Sequence, residues 1–515
     1  MAATLKVSAS IDTGASLAAL RDIGPRLSAK DSTIWGPEAQ AEASIRLGWI
    51  DLPNSSRDLL PELDALSAWA RSSSLTNVVL CGMGGSSLAP EVIAKTFAKS
   101  LTVLDSTDPE QILAGVPSDL AHAVVVVGSK SGSTVETASQ KALFTKLFTD
   151  AGLAPQDHIV VVTDPGSPLD QSSRSDGFKV INANPNVGGR YSALSAFGLV
   201  PAALLGVDIS VLLDDAAALL ETLSTHESIA HQLAATIFAA GEQCVGFSDA
   251  GSAVPGLSDW IEQLVAESTG KNQTGRLPVV LESAAAPLGG AGLIISLSNS
   301  ETADINVEAT LGEHFILWEY VTALLGYLLK VDPFNQPNVT EAKDRTNALL
   351  ATWQSSGSLP VSTPSFANEN LEIFSSFTAN SVAGQLSSFL SSPAHYFATM
   401  AYLHRGHDDA ISEIRTLIAA HTSKASTFGW GPRFLHSTGQ FHKGGQLNGA
   451  FLQITGENAI DCAIPGRDFS FHTLLMAQAL GDGEALASRS LPLMRIHLKN
   501  REAGIKEILN AMKGL

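Results

Sequence analysis

The sequence is short of positive charge. Lys and Arg number 32 against 51 Asp and Glu in 515 residues, a formal net charge of −19. That excludes a general nucleic-acid binder, which needs a basic surface. An anionic substrate remains possible, but local donors must hold it against the overall field. Isolated Lys and Arg in glycine-rich loops therefore carry weight. Cysteine is scarce as well. Cys81, Cys244 and Cys462 stand far apart, with no CxxC pair and no disulfide framework, which fits a reducing cytoplasm. Long apolar runs are missing. The longest, 316–331, contains Glu319 and Lys330 and reads as a buried helix, so no membrane span is expected. The opening MAATLKVSASIDTG has neither a charged-then-apolar signal nor a cleavage pattern. No short-period repeat is visible. What is present is 45% hydrophobic residue content, enough for a large core, over a length that suggests more than one domain.

Residues 1–75 read as helical and irregular, with Leu63, Leu66 and Ala70 on one helical face. From Asn77 short apolar runs alternate with helical patterns. Strands are expected at 77–80, 101–105, 123–127, 158–162 and 178–182, with helices between them. Val- and Ile-rich strands alternating with helices imply a parallel sheet covered on both faces, an α/β fold. A second cycle starts near residue 230, with strands expected near 244–247, 278–281 and 291–297. Residues 355–390 are rich in Ser, Thr, Asn and Pro and read as loop. The remainder, 395–515, reads as helices with a strand at 451–455.

Ligands on parallel sheets bind beyond the carboxyl ends of the strands. Two glycine-rich loops lie there. The first, GMGGSS at 82–87, pairs free backbone N–H groups with the hydroxyls of Ser86 and Ser87 at a helix N-terminus. It is close to a dinucleotide fingerprint, and Asp105 stands where a ribose-binding acid would, so a nicotinamide-dependent oxidoreductase is one reading. The second loop, SKSGST at 129–134, holds four hydroxyls and one lysine and opens another helix. A dinucleotide does not need it. A phosphate monoester does, because it takes several hydroxyl and N–H donors plus a cation.

Further along, GGRYS places Arg190 on a turn after Gly188 and Gly189, where it could face a developing oxyanion or pair a structural acid. ESTGK places Glu267 at a helix end, a candidate base or an exposed acid. His314 opens the long apolar helix. DPFNQPNVTEAK sets Gln336 and Lys343 seven residues apart, about two helical turns. The segment 434–445, FLHSTGQFHKGG, holds His436 and His442 without the further ligands a metal site needs.

Taken in order, these segments resemble the glucose-6-phosphate isomerase family. Its GxGGS loop, SK-[ST]-x-x-T loop, GGRYS, ESxGK and [DN]PF[DN]Q…K turn all have counterparts, and the tail is most similar to the isomerase half of bifunctional transaldolase/isomerase proteins. The resemblance implies two SIS-type parallel-sheet sandwich domains with extra N- and C-terminal helical segments. The implied division is 1–75, 76–229, 230–390 and 391–515, the last completing the second domain and the active site. It implies a phosphorylated sugar held by Gly85, Ser86, Ser129, Lys130, Ser131, Thr134, Gly189 and Gln336. Glu267 would move a proton between C2 and C1, Arg190 would steady a cis-enediolate, and Lys343 would assist at the ring oxygen. For the ring-opening histidine, chain order favours His314, with His442 and His436 behind it. No cofactor and no metal are expected. The expected partners are the small phosphorylated sugar and a second copy in a cytoplasmic homodimer, with the reaction serving glycolysis and gluconeogenesis. A non-catalytic phosphosugar sensor is the rival built on the same domains.

Overall fold

Runs such as Ala-Val-Val-Val-Val at 123–127 have no polar face, so they can only be buried on both sides. In the computed structural model, which describes residues 3–290, 292–360 and 362–515, such runs form the centres of three sheets. The N-terminal strand β1 (Thr4–Val7) joins the second of them. The first sheet contains β2 (Asn77–Gly82), β3 (Thr102–Leu104), β4 (Ala123–Gly128), β5 (Ile159–Thr163) and β6 (Lys179–Asn182). Its order is β3-β2-β4-β5-β6, and every pair is parallel. The chain leaves β2 toward one edge and β4 toward the other. The crevice between the ends of β2 and β4 is therefore the switch point at which such sheets bind ligands. Gly82 and Gly128 are in register there, so both glycine-rich loops start at the same level.

The second sheet holds β7 (Cys244–Ser248), β8 (Leu277–Val280), β9 (Leu293–Ser296) and β10 (Ile305–Glu308) in the order β1-β10-β9-β7-β8. Only β1 runs antiparallel. Ala291, expected to open a strand, lies outside the described residues. The N-terminal segment is thus not wholly helical: its first strand covers the edge of this sheet. No helix among the described residues is long and apolar enough to cross a membrane.

The C-terminal part differs from expectation. A third sheet runs through β11 (Phe366–Ala367), β12 (Leu371–Phe374), β13 (Tyr396–Tyr402), β14 (Ala425–Trp430), β15 (Gly449–Gly456) and β16 (Leu493–Leu498). Its order is β11-β12-β16-β15-β13-β14, with β13 to β16 parallel. This sheet takes in strands at 366–374, ahead of the boundary expected at residue 390. Leu371, Ile373, Leu386 and Phe389 pack with Phe397, Leu452 and Ile496 in one core, so the stretch read as loop belongs to this third unit. Small and hydroxyl residues break its strands, as in Phe397-Ala-Thr-Met-Ala401 and Ala425-Ser-Thr-Phe-Gly429, and hide the apolar pattern. Helices Pro337–Ser356 and Phe471–Ala487 reach back to the first sheet, where Leu349, Leu350, Phe471 and Leu474 join the core beneath β2 and β4. This return brings C-terminal side chains to the switch point.

Candidate active site

The two loops at the switch point are shaped by close backbone approach. Gly84 adopts φ +55°, in the region that favours glycine. A Cβ on Gly85 would lie 2.0 Å from the Gly189 carbonyl oxygen, so the first loop and the GGRYS turn touch through bare backbone. A Cβ on Gly84 would meet the His436 carbonyl at 2.7 Å. Ser86 lies over Gly128 at the end of β4. In the second loop the Ser129 hydroxyl donates to Thr134 Oγ1 at 3.1 Å, and Ser131 and Ser133 share a hydrogen bond of 2.8 Å. Ser131 and Ser133 are exposed, so their hydroxyls remain open to a ligand. The Lys130 ammonium is half-buried and donates to Asp164 at 2.5 Å. Burial lowers the Lys130 pKa, and the Asp164 hydrogen bond and charge oppose that shift.

Arg190 is fixed more firmly than its sequence context suggests. It is 3% exposed. Its guanidinium donates to Ser268 Oγ at 2.7 Å, Gln336 Oε1 at 3.0 Å, and the carbonyls of Pro333 at 2.7 Å and Asn335 at 3.0 Å. It also pairs with Glu267 Oε1 at 3.2 Å. Glu267 sits in the last turn of the Leu257–Thr269 helix, and its other oxygen accepts from Gln263 Nε2 at 3.2 Å. Gln263 also donates to the His436 carbonyl at 2.8 Å. The Lys271 ammonium, one residue past Gly270, is held by the Asp332 carbonyl. Burial, then the charge of Arg190, pushes its pKa well below the usual value. The DPFNQ turn is thus clamped by Arg190 on one side and Lys271 on the other. That clamp sets the start of the Pro337–Ser356 helix and so the place of Lys343.

Lys343 lines a cavity of about 80 Å3 together with Ser133, Thr134, Glu136 and His436. His436 Nε2 meets Glu136 Oε1 at 2.9 Å, and Gln478 Nε2 donates to the same oxygen at 2.6 Å. Gln478 in turn accepts from the Thr107 hydroxyl at 2.7 Å. Burial opposes ionisation of Glu136. The charge and hydrogen bond of His436, a backbone hydrogen bond and the charge of Lys343 outweigh it and bring the carboxyl below its ordinary value. The arrangement is a histidine oriented by a buried, ionised carboxylate, which can take or give a proton at the imidazole.

Gln440 secures the geometry. It accepts from the Asn338 N–H at 2.9 Å and donates to Asn338 Oδ1 at 2.8 Å and Gly270 O at 2.9 Å. It thereby ties the Lys343 helix to the end of the Glu267 helix.

The other two histidines stand apart. His314 is fully buried in the Leu311–Leu329 helix, and neither ring nitrogen has a partner among the described residues. Burial pushes its pKa down to about 3. The ring is wholly enclosed and without a partner, so the fold does not bring His314, the first choice from chain order, to the cavity beside the two loops, whereas His436 lines it. His442 is also buried. Its Nδ1 meets the Tyr396 hydroxyl at 3.0 Å, and burial, with the charge of Lys443, pushes its pKa to about 3. It packs against Phe441 and Phe451.

Asp105 does not await a ribose. It is 2% exposed and pairs with Arg433 at 3.2 Å and Arg405 at 3.5 Å. That removes the main support for the nicotinamide reading. From sequence alone Glu136 reads as no more than a dipole-favoured acid in the first turn of its helix, and nothing singles out Gln263, Gln440 or Gln478. Only the place of Glu136, two residues beyond the Ser/Lys loop, hinted at its position.

Residues 59–275 match the family model described as phosphoglucose isomerase. A protein of Haloarcula marismortui named "Probable glucose-6-phosphate isomerase" is 31% identical over 283 residues, covering 52% of this chain and 64% of that one. A glucose-6-phosphate isomerase of Thermosynechococcus vestitus is 34% identical over 246 residues, 43% of this chain and 46% of its own. The chain thus spans about half the length of the curated relatives it matches. Among solved structures, a glucose-6-phosphate isomerase from Chlamydia trachomatis superposes with a TM-score of 0.55 at 18% identity, over 68% of this chain and 89% of that one. At that identity the likeness speaks for the fold.

Proposed function

We propose that this chain, whose residues 59–275 match the phosphoglucose isomerase family model, interconverts glucose 6-phosphate and fructose 6-phosphate through a cis-enediolate. The observation that carries the reading is the buried Arg190–Glu267 pair at 3.2 Å, set beside two anion-binding loops at one switch point. A phosphate seated among Ser86, Ser129, Ser131, Thr134 and the Lys130 ammonium would anchor one end of the sugar. Anchoring turns proton transfer at C1 and C2 into an intramolecular event. His436, oriented by Glu136, gives a proton to the ring oxygen as the C1–O5 bond breaks and the C1 hydroxyl gives up its own proton to solvent, with Lys343 adding positive charge beside it. Glu267 takes the proton from C2 of the aldose and returns it to C1, while the O2 hydroxyl proton passes to O1. Arg190 is already bonded to a fixed frame and stabilises the enediolate oxygen without reorganising. By this route the reaction needs no redox step and no metal.

The same proposal places the enzyme in the cytoplasm as a homodimer, in glycolysis and gluconeogenesis. Sedimentation of the purified chain tests the dimer. The activity is tested by following fructose 6-phosphate conversion in a dehydrogenase-coupled assay without added metal, with mannose 6-phosphate as competitor. Saturable turnover supports the reading. Tight phosphosugar binding without turnover supports the non-catalytic sensor instead.

A further inference from the structure

The Leu257–Thr269 helix has a second polar face. Gln263 and Glu267, one turn apart, belong to the active site. Asp259 and Glu262, also about one turn apart, line a separate cavity of about 390 Å3. The 433–437 turn is divided in the same way. Leu435 and His436 face the active-site cavity, whereas Arg433, Phe434 and Ser437 face this one.

The chemistry of the cavity is unbalanced. Glu262 is only 9% exposed, lines the space, and has no hydrogen-bond or ion-pair partner among the described residues. The Asp259 carboxyl, which is half-buried, also lines the space and has no such partner among the described residues. The nearest cation, Arg433, is already paired with Glu91 at 3.0 Å and Asp105 at 3.2 Å. Arg415 on the opposite wall is bound to Glu282 through two nitrogens. Asp249, a third acid of the lining, accepts among the described residues only the Ser258 N–H, at 2.9 Å. Burial, and then the Asp259 charge, raises the Glu262 carboxyl well above its usual range. Trp430 and Phe428, packed edge to face at 5.1 Å, add aromatic surface to the same lining.

A buried acid without a partner is costly, and here Glu262, with the half-buried Asp259 beside it, opens onto one space large enough for a small molecule. The excess of carboxylates argues against a second phosphosugar site. A bare metal ion is poorly served, since no cluster of three ligating side chains occurs among the described residues. The complement of this lining is positive at one end and apolar along its length. We propose that this cavity binds an alkylammonium ligand, with its ammonium group on Asp259 and Glu262 and its carbon chain against Trp430 and Phe428. Ammonium groups gain from both the carboxylates and the aromatic faces.

Calorimetric titration of the full chain with 1,4-diaminobutane tests this, with 1,4-butanediol as the uncharged match of equal length. Saturable binding of the diamine and none of the diol is expected. Glu262→Gln, which keeps the side-chain shape, should weaken binding about thirtyfold or more, the loss typical of removing one partner from a desolvated charge pair. Asp259→Asn should act in the same direction and serves if Glu262→Gln does not fold. Absence of saturable diamine binding at millimolar concentration, equal binding of the diol, or undiminished affinity in a folded variant overturns the assignment.

Discussion

Replacing Glu136 by Gln separates ring opening from isomerisation. Glu136 Oε1 accepts hydrogen bonds from His436 Nε2 at 2.9 Å and Gln478 Nε2 at 2.6 Å. Glutamine keeps the shape and removes the carboxylate charge beside the His436 ring. A buried hydrogen bond to a charged group is worth about 1.5–3 kcal/mol. At ~1.4 kcal/mol per tenfold in rate, kcat/KM on glucose 6-phosphate should fall roughly 10- to 150-fold. The assay pairs that substrate with an aldotetrose carrying its phosphate on C4, which has no free hydroxyl with which to close a five-membered ring. Proton exchange on the open tetrose bypasses the histidine and should be nearly unchanged in the variant. Equal loss on both substrates would refute the division of labour, because it would make Glu136 a support of the whole site. Unchanged turnover of glucose 6-phosphate would refute the dyad itself. Stability gives an independent check. The folded pKa of Glu136 is below its ordinary 4.5. Its contribution is therefore present above pH 4.5 and lost as pH falls through the lower folded value. Glu136→Gln should lose that part of the acid limb.

Three further outcomes follow from the geometry. Arg190→Lys should cut kcat about 100-fold or more, since an ammonium cannot span the four acceptors that fix the guanidinium; steady-state kinetics checks it. Gly85→Ala drives a Cβ to within 2.0 Å of the Gly189 oxygen and should destabilise the fold by ~1–3 kcal/mol or more, read by chemical denaturation. His314→Leu should keep kcat and raise stability by about 1 kcal/mol at neutral pH, because it removes two buried ring nitrogens without partners. The His314 pKa is about 3 in the fold against an ordinary 6.5. Its neutral ring favours the fold above pH 6.5, and that support drains away at ~1.4 kcal/mol per pH unit as pH drops toward 3. The Leu variant should show a shallower decline over this window.

The first sheet was legible because a strand buried on both faces must be apolar throughout, as Val124 to Val127 are. Both loops at its carboxyl ends were legible for a related reason. Gly84 and Gly85 are demanded by backbone contacts and by φ, and Ser131 and Ser133 of the second loop are exposed. Arg190, Glu267, Gln336 and Lys343 could be named from their segments. Nothing in those segments disclosed that one guanidinium binds Gln336, Ser268 and Glu267 together. The third sheet was hidden by Ala, Ser, Thr and Gly within strands such as β14. The histidine was misjudged for a deeper reason. His436 and Glu136 are 300 residues apart, and no spacing rule connects them. His314 stood in the favoured place in chain order, but the folded chain buries it completely and leaves its ring nitrogens without partners among the described residues.

The central claim is that Glu267 moves a proton between C2 and C1 of a phosphorylated hexose. The most direct measurement incubates the purified chain with glucose 6-phosphate in D2O and follows carbon-bound deuterium by NMR. The account predicts fructose 6-phosphate labelled at C1 and glucose 6-phosphate labelled at C2 with the native chain. It predicts neither label with Glu267→Gln, while that variant still binds the phosphosugar. Isomerisation or solvent exchange at the native rate in Glu267→Gln would contradict it.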